Sequence, residues 1–234
     1  MALAERAGVS PDEIARFDAL AARWWDPNGP MRPLHHMNPA RIGWIDARIP
    51  RASRVLDVGC GAGIAAEALA RRGHEVLGID AAGEALAAAR AHAEGRGLAV
   101  EYREAVADDL RAEGLRFPVI TALEVIEHVP DPAGFVATLA GLLEPGGSLF
   151  LSTLNRTRRS FLLAKVGAEY LLRWLPVGTH DWRKFITPGE MGGFARAAGL
   201  RVADLAGMRP DPLRGGWTMT RDLSVNYIVQ ARGG

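Results

Sequence analysis

From Ser10 the chain reads SPDEIARFDALAARWW, and the apolar residues Ile14, Phe17, Ala21 and Trp24 return every three or four positions. That spacing predicts a helix with one apolar face to lay on something larger. Ser10 suits the cap, Pro11 the first helical position and Glu13 the far side of a capping box, while DPNGP at 26–30 stops the helix. A second helix is predicted at NPARIGWID, with Asn38 as its cap and Pro39 behind it.

Beyond residue 50 the period changes. RVLDV at 54–58 is a short apolar run, followed by a glycine turn and an Ala-rich helical segment that stops at Gly73. EVLGID, LAVEYRE, FPVITAL at 117–123, GSLFLST, RVADLAG and SVNYIVQAR repeat the strand pattern, most of them separated by helix-like segments. This alternation predicts an α/β fold, a seven-stranded, Rossmann-like, doubly wound sheet with helices on both faces. Asp131 and Pro132 open one helix, TPGE at 187–190 forms a capping box before another, and the Gly/Pro/Arg-rich stretch 207–217 reads as a loop. After Asn155 the rhythm fails for about thirty residues, longer than an ordinary connection, so 156–186 reads as an insertion. The expected organisation is a helical annex at 1–50 and one domain at 51–234 that carries the insertion.

A chain of 234 residues and 25.1 kDa has room for one α/β domain with an appendage. Its formal charge of +1 provides no overall field to gather nucleic acid, and none is expected as a partner. The single cysteine, Cys60, cannot form an internal disulfide, which suits a reducing compartment; in its tight turn it reads as a small side chain. MALAERAGVSPDEIARF has neither the apolar core of a signal peptide nor the acid-free character of a transit peptide. No segment is long and apolar enough to cross a bilayer, so a cytoplasmic chain with at most peripheral membrane contact is expected.

The glycine turn narrows the ligand. Glycines after a first strand let a ligand approach the backbone, and the following helix offers free N–H groups to an anion. A dinucleotide fingerprint wants G-x-G-x-x-G, whereas Gly59, Gly61 and Gly63 give G-x-G-x-G, with Ile64 where the third dinucleotide glycine would stand. Asp80 closes the second strand, where a carboxylate can accept hydrogen bonds from both hydroxyls of a ribose. A ribose without a pyrophosphate is implied.

ALEVIEHVPDP at 122–132 raises a different chemistry. Glu124, Glu127 and His128 fall at the carboxyl end of the fourth strand, beside the first, where open α/β sheets bind ligands. One helical turn after Leu123 would place them at i, i+3 and i+4 on one face. Two oxygens and a nitrogen so placed suit a divalent cation that keeps several waters, some of which a catechol can replace. A phenol titrates near about pH 10 and is a poor nucleophile at neutral pH unless a metal or a base stabilises its anion; without a metal, His128 is the base. Solvated carboxylates and an imidazole bonded to nearby backbone satisfy the same spacing.

The insertion holds seven of the chain's Arg and Lys residues, Arg156, Arg158, Arg159, Lys165, Arg173, Arg183 and Lys184, against only Glu169 and Asp181. Lys165, Glu169 and Arg173 lie on one strip of a helix, with apolar residues such as Phe161, Leu162, Val166 and Trp174 around the rest. Such a segment suits lying on an anionic membrane surface, and it also suits a lid over the active site.

RWWDPNGPMRPLHHMNPAR, LDVGCGAG, LEVIEHVPDP, STLNRT, VGAEYLLRWLPVGTHDW, FITPGEM and the terminal VNYIVQA together resemble the ubiquinone-biosynthesis O-methyltransferase family of class I S-adenosylmethionine-dependent methyltransferases, from about Phe17 to Ala231. The resemblance implies methylation of hydroxyls on polyprenylated phenols and catechols, at both O-methylation steps of ubiquinone synthesis. It implies S-adenosylmethionine as cofactor, with the family's positions falling on Arg41, Gly59, Asp80 and Leu123; Asp57, Gly61 and Gly63 of the same strand and glycine turn complete the expected cofactor set. A divalent metal, magnesium by expectation, is implied at Glu124, Glu127 and His128, with His128 and Glu124 as the catalytic pair. Expected partners are the prenylated substrate, an anionic membrane surface through 156–186 at the inner face of the membrane, and other proteins of ubiquinone synthesis. Two alternatives differ from this reading: a methyltransferase of another phenol or lipid, and a catalytically idle cofactor-binding partner of a membrane complex.

Overall fold

A computed structural model describes residues 11–162, 182–211 and 216–233. Helix α1 (Pro11–Leu20) runs into a 3-10 turn at Ala21–Arg23. Its apolar stripe is used as the spacing requires, since Phe17, Leu20 and Trp24 pack with Met31, Ala62, Ile64, Ala82 and Ala85. The capping box expected at Ser10 lies outside the described residues.

Helix α2 (Arg32–Asp46) corrects the second expectation: it begins with Pro33 in its first turn and runs straight through Pro39. Asn38 is therefore no cap. Its amide is spent on tertiary bonds, donating from Nδ2 to the Ile64 carbonyl at 2.9 Å and accepting at Oδ1 from Arg41 Nε at 2.9 Å. Residue patterning reads Asn-Pro as a helix start, whereas here the buried partners outweigh the donor lost at Pro39. At the far end of α2, the Ser53 N–H donates to His74 Nδ1, so His74 Nε2 carries the hydrogen donated to Asp46 Oδ1 at 2.9 Å. The bond from His74, joined by one from Arg72 at 2.7 Å, holds the Asp46 carboxyl below its ordinary range.

Strand β1 (Arg54–Val58) lies at the centre of the parallel part, flanked by β2 (Glu75–Asp80) and β4 (Phe117–Leu123), with β3 (Val100–Glu104) and β5 (Leu143–Leu154) outside them. β8 (Asn226–Gly233) pairs antiparallel with β5 and with β6 (Leu200–Pro210), and β7 (Trp217–Thr220) closes the edge on β6. The order is β3-β2-β1-β4-β5-β8-β6-β7. Among the described residues, eight strands replace the seven expected. The tract expected to be a loop is bordered by a hairpin: β6 continues into it as far as Pro210, and the chain returns as the additional strand β7 at its far end, with Gly207 opposite Thr220 and Pro210 opposite Trp217. An edge hairpin tolerates glycine and proline that would damage a central strand, so composition conceals it.

Helices α3 (Ile64–Ala70), α4 (Gly83–Ala93), α5 (Ala107–Ala112), α6 (Pro132–Gly141) and α7 (Pro188–Ala197) complete the layers. Consecutive strand residues face opposite ways. Leu56 joins Ile120, Leu149, Val136 and Leu139 in one core, while Val55 joins Val119, Phe150, Ile42, Ile45, Leu69 and Leu86 in the other. Both later caps form as expected: Asp131 accepts from the Gly134 N–H at 3.0 Å, and Thr187 and Glu190 bond reciprocally.

The amphipathic strip Lys165, Glu169, Arg173 lies outside the described residues. The two ends of the insertion meet, because Trp182 Nε1 donates to the Thr157 carbonyl at 3.0 Å and the Phe161 and Trp182 rings stand edge to face. No helix among the described residues is long and apolar enough to cross a membrane.

The annex is tied to the domain through Asn38. We expect Asn38→Ala to strand a buried carbonyl and an arginine N–H and to lower the unfolding free energy by about 2 to 3 kcal/mol, read from urea denaturation; a change below about 0.5 kcal/mol would contradict this bond's structural role.

Candidate functional site

The strand order reverses at β1 and β4, and their carboxyl ends open a crevice there. Gly59, Gly61 and Gly63 line it at φ of 67°, 52° and 86°, in the left-handed region that a side chain resists. Space is equally limiting. A Cβ on Gly59 would meet Val125 at 2.5 Å, one on Gly61 would meet the Trp24 ring at 2.4 Å, and one on Gly63 would meet the Tyr102 hydroxyl at 2.1 Å. Asp80 ties the turn to the next one: Oδ2 accepts from the Gly61 N–H at 2.8 Å and Oδ1 from the Ala82 N–H at 2.9 Å. Burial raises the pKa of this carboxyl, against those bonds. Cys60 is buried in the turn, and loss of solvent pushes its thiol well up, in keeping with the small-side-chain reading.

Beneath the turn sits a pair of charges. Asp57, at 2 % exposure, accepts from Thr121 Oγ1 at 2.6 Å through Oδ1, while its Oδ2 has no hydrogen-bond partner. Burial pushes its carboxyl to about 6, despite the Thr121 bond and the charge of Arg41. Arg41, at 3 % exposure, spends Nε on Asn38 and leaves Nη1 without a partner. Burial lowers its pKa, and the charges of Glu124 and Asp57 oppose that shift. Two buried, oppositely charged groups with orphaned atoms beside a glycine turn are what a zwitterionic ligand would satisfy.

The residues after β4 do not take the expected arrangement. Glu124 stands at φ 59°, in the left-handed region, with its N–H bonded to the Ser152 carbonyl at 3.0 Å. The helical turn begins only at Ile126, so the i, i+3, i+4 face is broken at its first member. Each carboxylate is instead engaged by β5: Ser152 Oγ donates to Glu124 at 2.6 Å, and Thr153 Oγ1 donates to buried Glu127 at 2.9 Å. The His128 ring stands edge-on to Phe17 at 5.6 Å. Among the described residues, no group of three or more His, Cys, Asp or Glu side chains is arranged to hold a metal ion. The expected ligand set is thus not assembled among these residues. The three groups still sense one another: burial and the Glu124 charge push the Glu127 carboxyl up to about 7, and His128 opposes them.

Each expected cofactor residue lies at this carboxyl edge or directly below it, with Leu123 an apolar side chain at the end of β4. Sequence reading missed Trp24, Thr121, Ser152 and Thr153. Their signal is weak because hydroxyls inside apolar strands and tryptophans on helix stripes are ordinary core residues.

A family model described as a methyltransferase domain matches residues 34–205. The chain is 49% identical to a ubiquinone biosynthesis O-methyltransferase of Ralstonia nicotianae, over 97% of this chain and 96% of that protein. The proteins of the same description from Azorhizobium caulinodans and Pseudomonas aeruginosa are 47% and 48% identical, covering 98% and 96% of this chain and 96% and 97% of their own lengths. Among solved structures, a SAM-dependent methyltransferase from Aquifex aeolicus superposes with a TM-score of 0.63 at 18% identity, over 95% of this chain and 98% of that one. A magnesium protoporphyrin IX methyltransferase from Synechocystis, solved with bound SAH, has a TM-score of 0.57 at 20% identity, over 83% of this chain and 80% of that one. These structures share the fold.

Two measurements follow from the geometry. Gly61→Ala meets both an adverse φ and the Trp24 ring, and we expect a loss of at least about 2 kcal/mol in unfolding free energy; a variant as stable as the parent would show that the turn relaxes freely. An Asp57 carboxyl at about 6 is raised above its unfolded value. Its stabilising contribution is therefore full at low pH and is lost as pH rises through about 6, an effect of order 2 to 3 kcal/mol. The stability of Asp57→Asn relative to the parent should rise between about pH 4 and 7; a flat difference would place the carboxyl at an ordinary pKa.

Proposed function

The chain belongs to the family of ubiquinone biosynthesis O-methyltransferases, and on that premise we propose that it moves the methyl of S-adenosylmethionine to hydroxyls of polyprenylated phenols and catechols, at both O-methylation steps of ubiquinone synthesis. The observation that carries the reading is the buried pair Arg41 and Asp57, each with an orphaned polar atom, set beside the glycine turn and Asp80. S-adenosylmethionine has an α-amino and an α-carboxylate group at one end and a ribose at the other, which matches that order of charges and acceptors.

When bound, the cofactor supplies a methyl group on a positively charged sulfur. Asp57 Oδ2 would take its ammonium, Arg41 Nη1 its carboxylate, and Asp80 its ribose hydroxyls, while Gly59, Gly61 and Gly63 admit it to the backbone and Leu123 walls it from water. The acceptor enters at the end of β4. There His128 takes the proton of the phenol hydroxyl as its O–H bond breaks, and the freed oxygen pair forms the new C–O bond as the methyl leaves sulfur. Glu124, held by Ser152, orients the acceptor hydroxyl toward that methyl. Positioning and charge stabilisation supply most of the acceleration in such a transfer.

The insertion supports a peripheral contact with an anionic membrane surface. Phe161 and Leu162, exposed by 38% and 59%, stand at its entry beside Arg158 and Arg159. A substrate with a prenyl tail is itself drawn to lipid.

Transfer of labelled methyl from S-adenosylmethionine to a short-chain prenyl catechol tests the reading directly. Product is expected, with His128→Ala and Glu124→Gln each lowering kcat by about 10²-fold or more while the cofactor still binds; cofactor binding without product from any prenylated phenol would sink the acceptor assignment. The protein should also sediment with anionic vesicles at low salt and be released at about 0.5 M salt; equal binding to neutral vesicles would count against the basic insertion as the contact.

A further inference from the structure

Residues 17–25 touch three parts of the proposed site: the glycine turn, the start of α4 just beyond Asp80, and His128. Trp24 is buried against the glycine turn, in the space a Gly61 side chain would fill. With Met31 it packs on Ala62, inside that turn, and on Ala82 and Ala85, just beyond Asp80. Phe17 stands edge-on to the His128 ring at 5.6 Å. Asp18 Oδ1 accepts from the Glu84 N–H at 3.1 Å, in the first turn of α4, where unpaired amides favour an anion.

At Trp25 the segment is held chiefly by a stacked aromatic pair, with the His35 ring tilted against Trp25 at 5.8 Å. The Trp25 and His92 rings stack with centroids 3.4 Å apart and planes 8° from parallel. Trp25 Nε1 also donates to the Ala62 carbonyl at 2.9 Å, on the glycine turn itself. His92 is fixed from the other side, since its Nδ1 lies 2.7 Å from Oε1 of Glu67, a carboxylate with no exposed surface that Arg71 also binds. The neighbouring His35 donates from Nε2 to the Trp24 carbonyl at 2.8 Å. The stack therefore joins three elements: the turn that follows α1, helix α4 through His92, and helix α3 through Glu67.

We propose that residues 17–25 form a retaining strap over the bound cofactor, with the Trp25–His92 stack as its clasp, so that these two rings set how long the cofactor stays. The proposal rests on the assignment of S-adenosylmethionine to the glycine turn. A segment held to the domain by ring packing and a few side-chain hydrogen bonds, with no sheet pairing, opens locally at less than the cost of global unfolding. Whatever holds it at Trp25 then governs escape of a ligand beneath it, while the chemistry at His128 proceeds unchanged once the strap is closed. Trp25 and His92 are positioning residues in this scheme.

Dissociation of S-adenosylhomocysteine from the full chain, followed by stopped flow after equilibrium titration, tests the proposal in the parent, His92→Gln and Trp25→Leu. Glutamine keeps a donor for the buried Glu67 carboxylate and removes only the ring. We expect the dissociation rate to rise roughly threefold to tenfold in each variant, the worth of one aromatic pair, with kcat within about twofold of the parent and the cofactor KM raised. Cleavage by trypsin after Arg23, whose side chain is 68% exposed, supplies a second readout. The ligand should slow cleavage there in the parent and slow it less in both variants. Should Trp25→Leu fail to fold, Trp25→Phe, which keeps a ring face and loses the bond to Ala62, is expected to fall between the parent and His92→Gln. No binding of S-adenosylhomocysteine by the parent would overturn the cofactor assignment itself. Binding by the parent with unchanged dissociation in the variants, or trypsin cleavage indifferent to ligand, would overturn the strap and leave that assignment standing.

Discussion

Arg41 carries its guanidinium almost wholly out of water, and the carboxylates that make this tolerable stand at the ends of two different strands. Asp57 is next to last in β1 and Glu124 follows β4, so parallel pairing of those strands brings both charges within reach of a helix that precedes them in the chain. A buried cation without such partners costs several kcal/mol. Helix α2, the glycine turn and the segment after β4 are therefore coupled electrically before any ligand binds. Asn38 completes the coupling by joining Arg41 to the first residue of α3.

Much of the strain and unmet polarity among the described residues lies at this edge of the sheet. Glu124 holds a left-handed backbone without being glycine, and the Asp57 and Glu127 carboxyls are held at about 6 and about 7 by burial. Many groups elsewhere find partners, within one turn in the reciprocal cap at Thr187 and Glu190 and across the fold in the His74–Asp46 bond. Such an arrangement lowers stability at the crevice and leaves charges there ready for a ligand, while two cores on opposite faces of the sheet supply the compensation.

Residues whose job depends on their own backbone were legible in the sequence. Gly59, Gly61 and Gly63 take positive φ, Asp80 closes β2, and Asp131 and Thr187 cap the helices expected of them. Residues whose job depends on a distant neighbour were not. Asn38 looks like a cap beside Pro39, yet its amide is used by Ile64 and Arg41. Arg41 looks like a surface helix residue, and only the resemblance to a family singled it out. Hairpin pairing with β7 turned the start of a Gly/Pro/Arg-rich tract into the end of β6.

The segment after β4 divides the two kinds of information most clearly. Sequence by itself determined that two carboxylates and an imidazole stand at the carboxyl end of the fourth strand, because strand pattern and chain order place them there. Whether they share a face was decided by tertiary structure. The Ser152 carbonyl captures the Glu124 N–H and the Ser152 and Thr153 hydroxyls take up the two carboxylates, so the helical turn starts two residues late and the face is lost. Periodicity presumes that a segment bonds to itself. Next to a buried strand with free carbonyls and hydroxyls it bonds to its neighbour instead, and only the folded sheet establishes which neighbour that is.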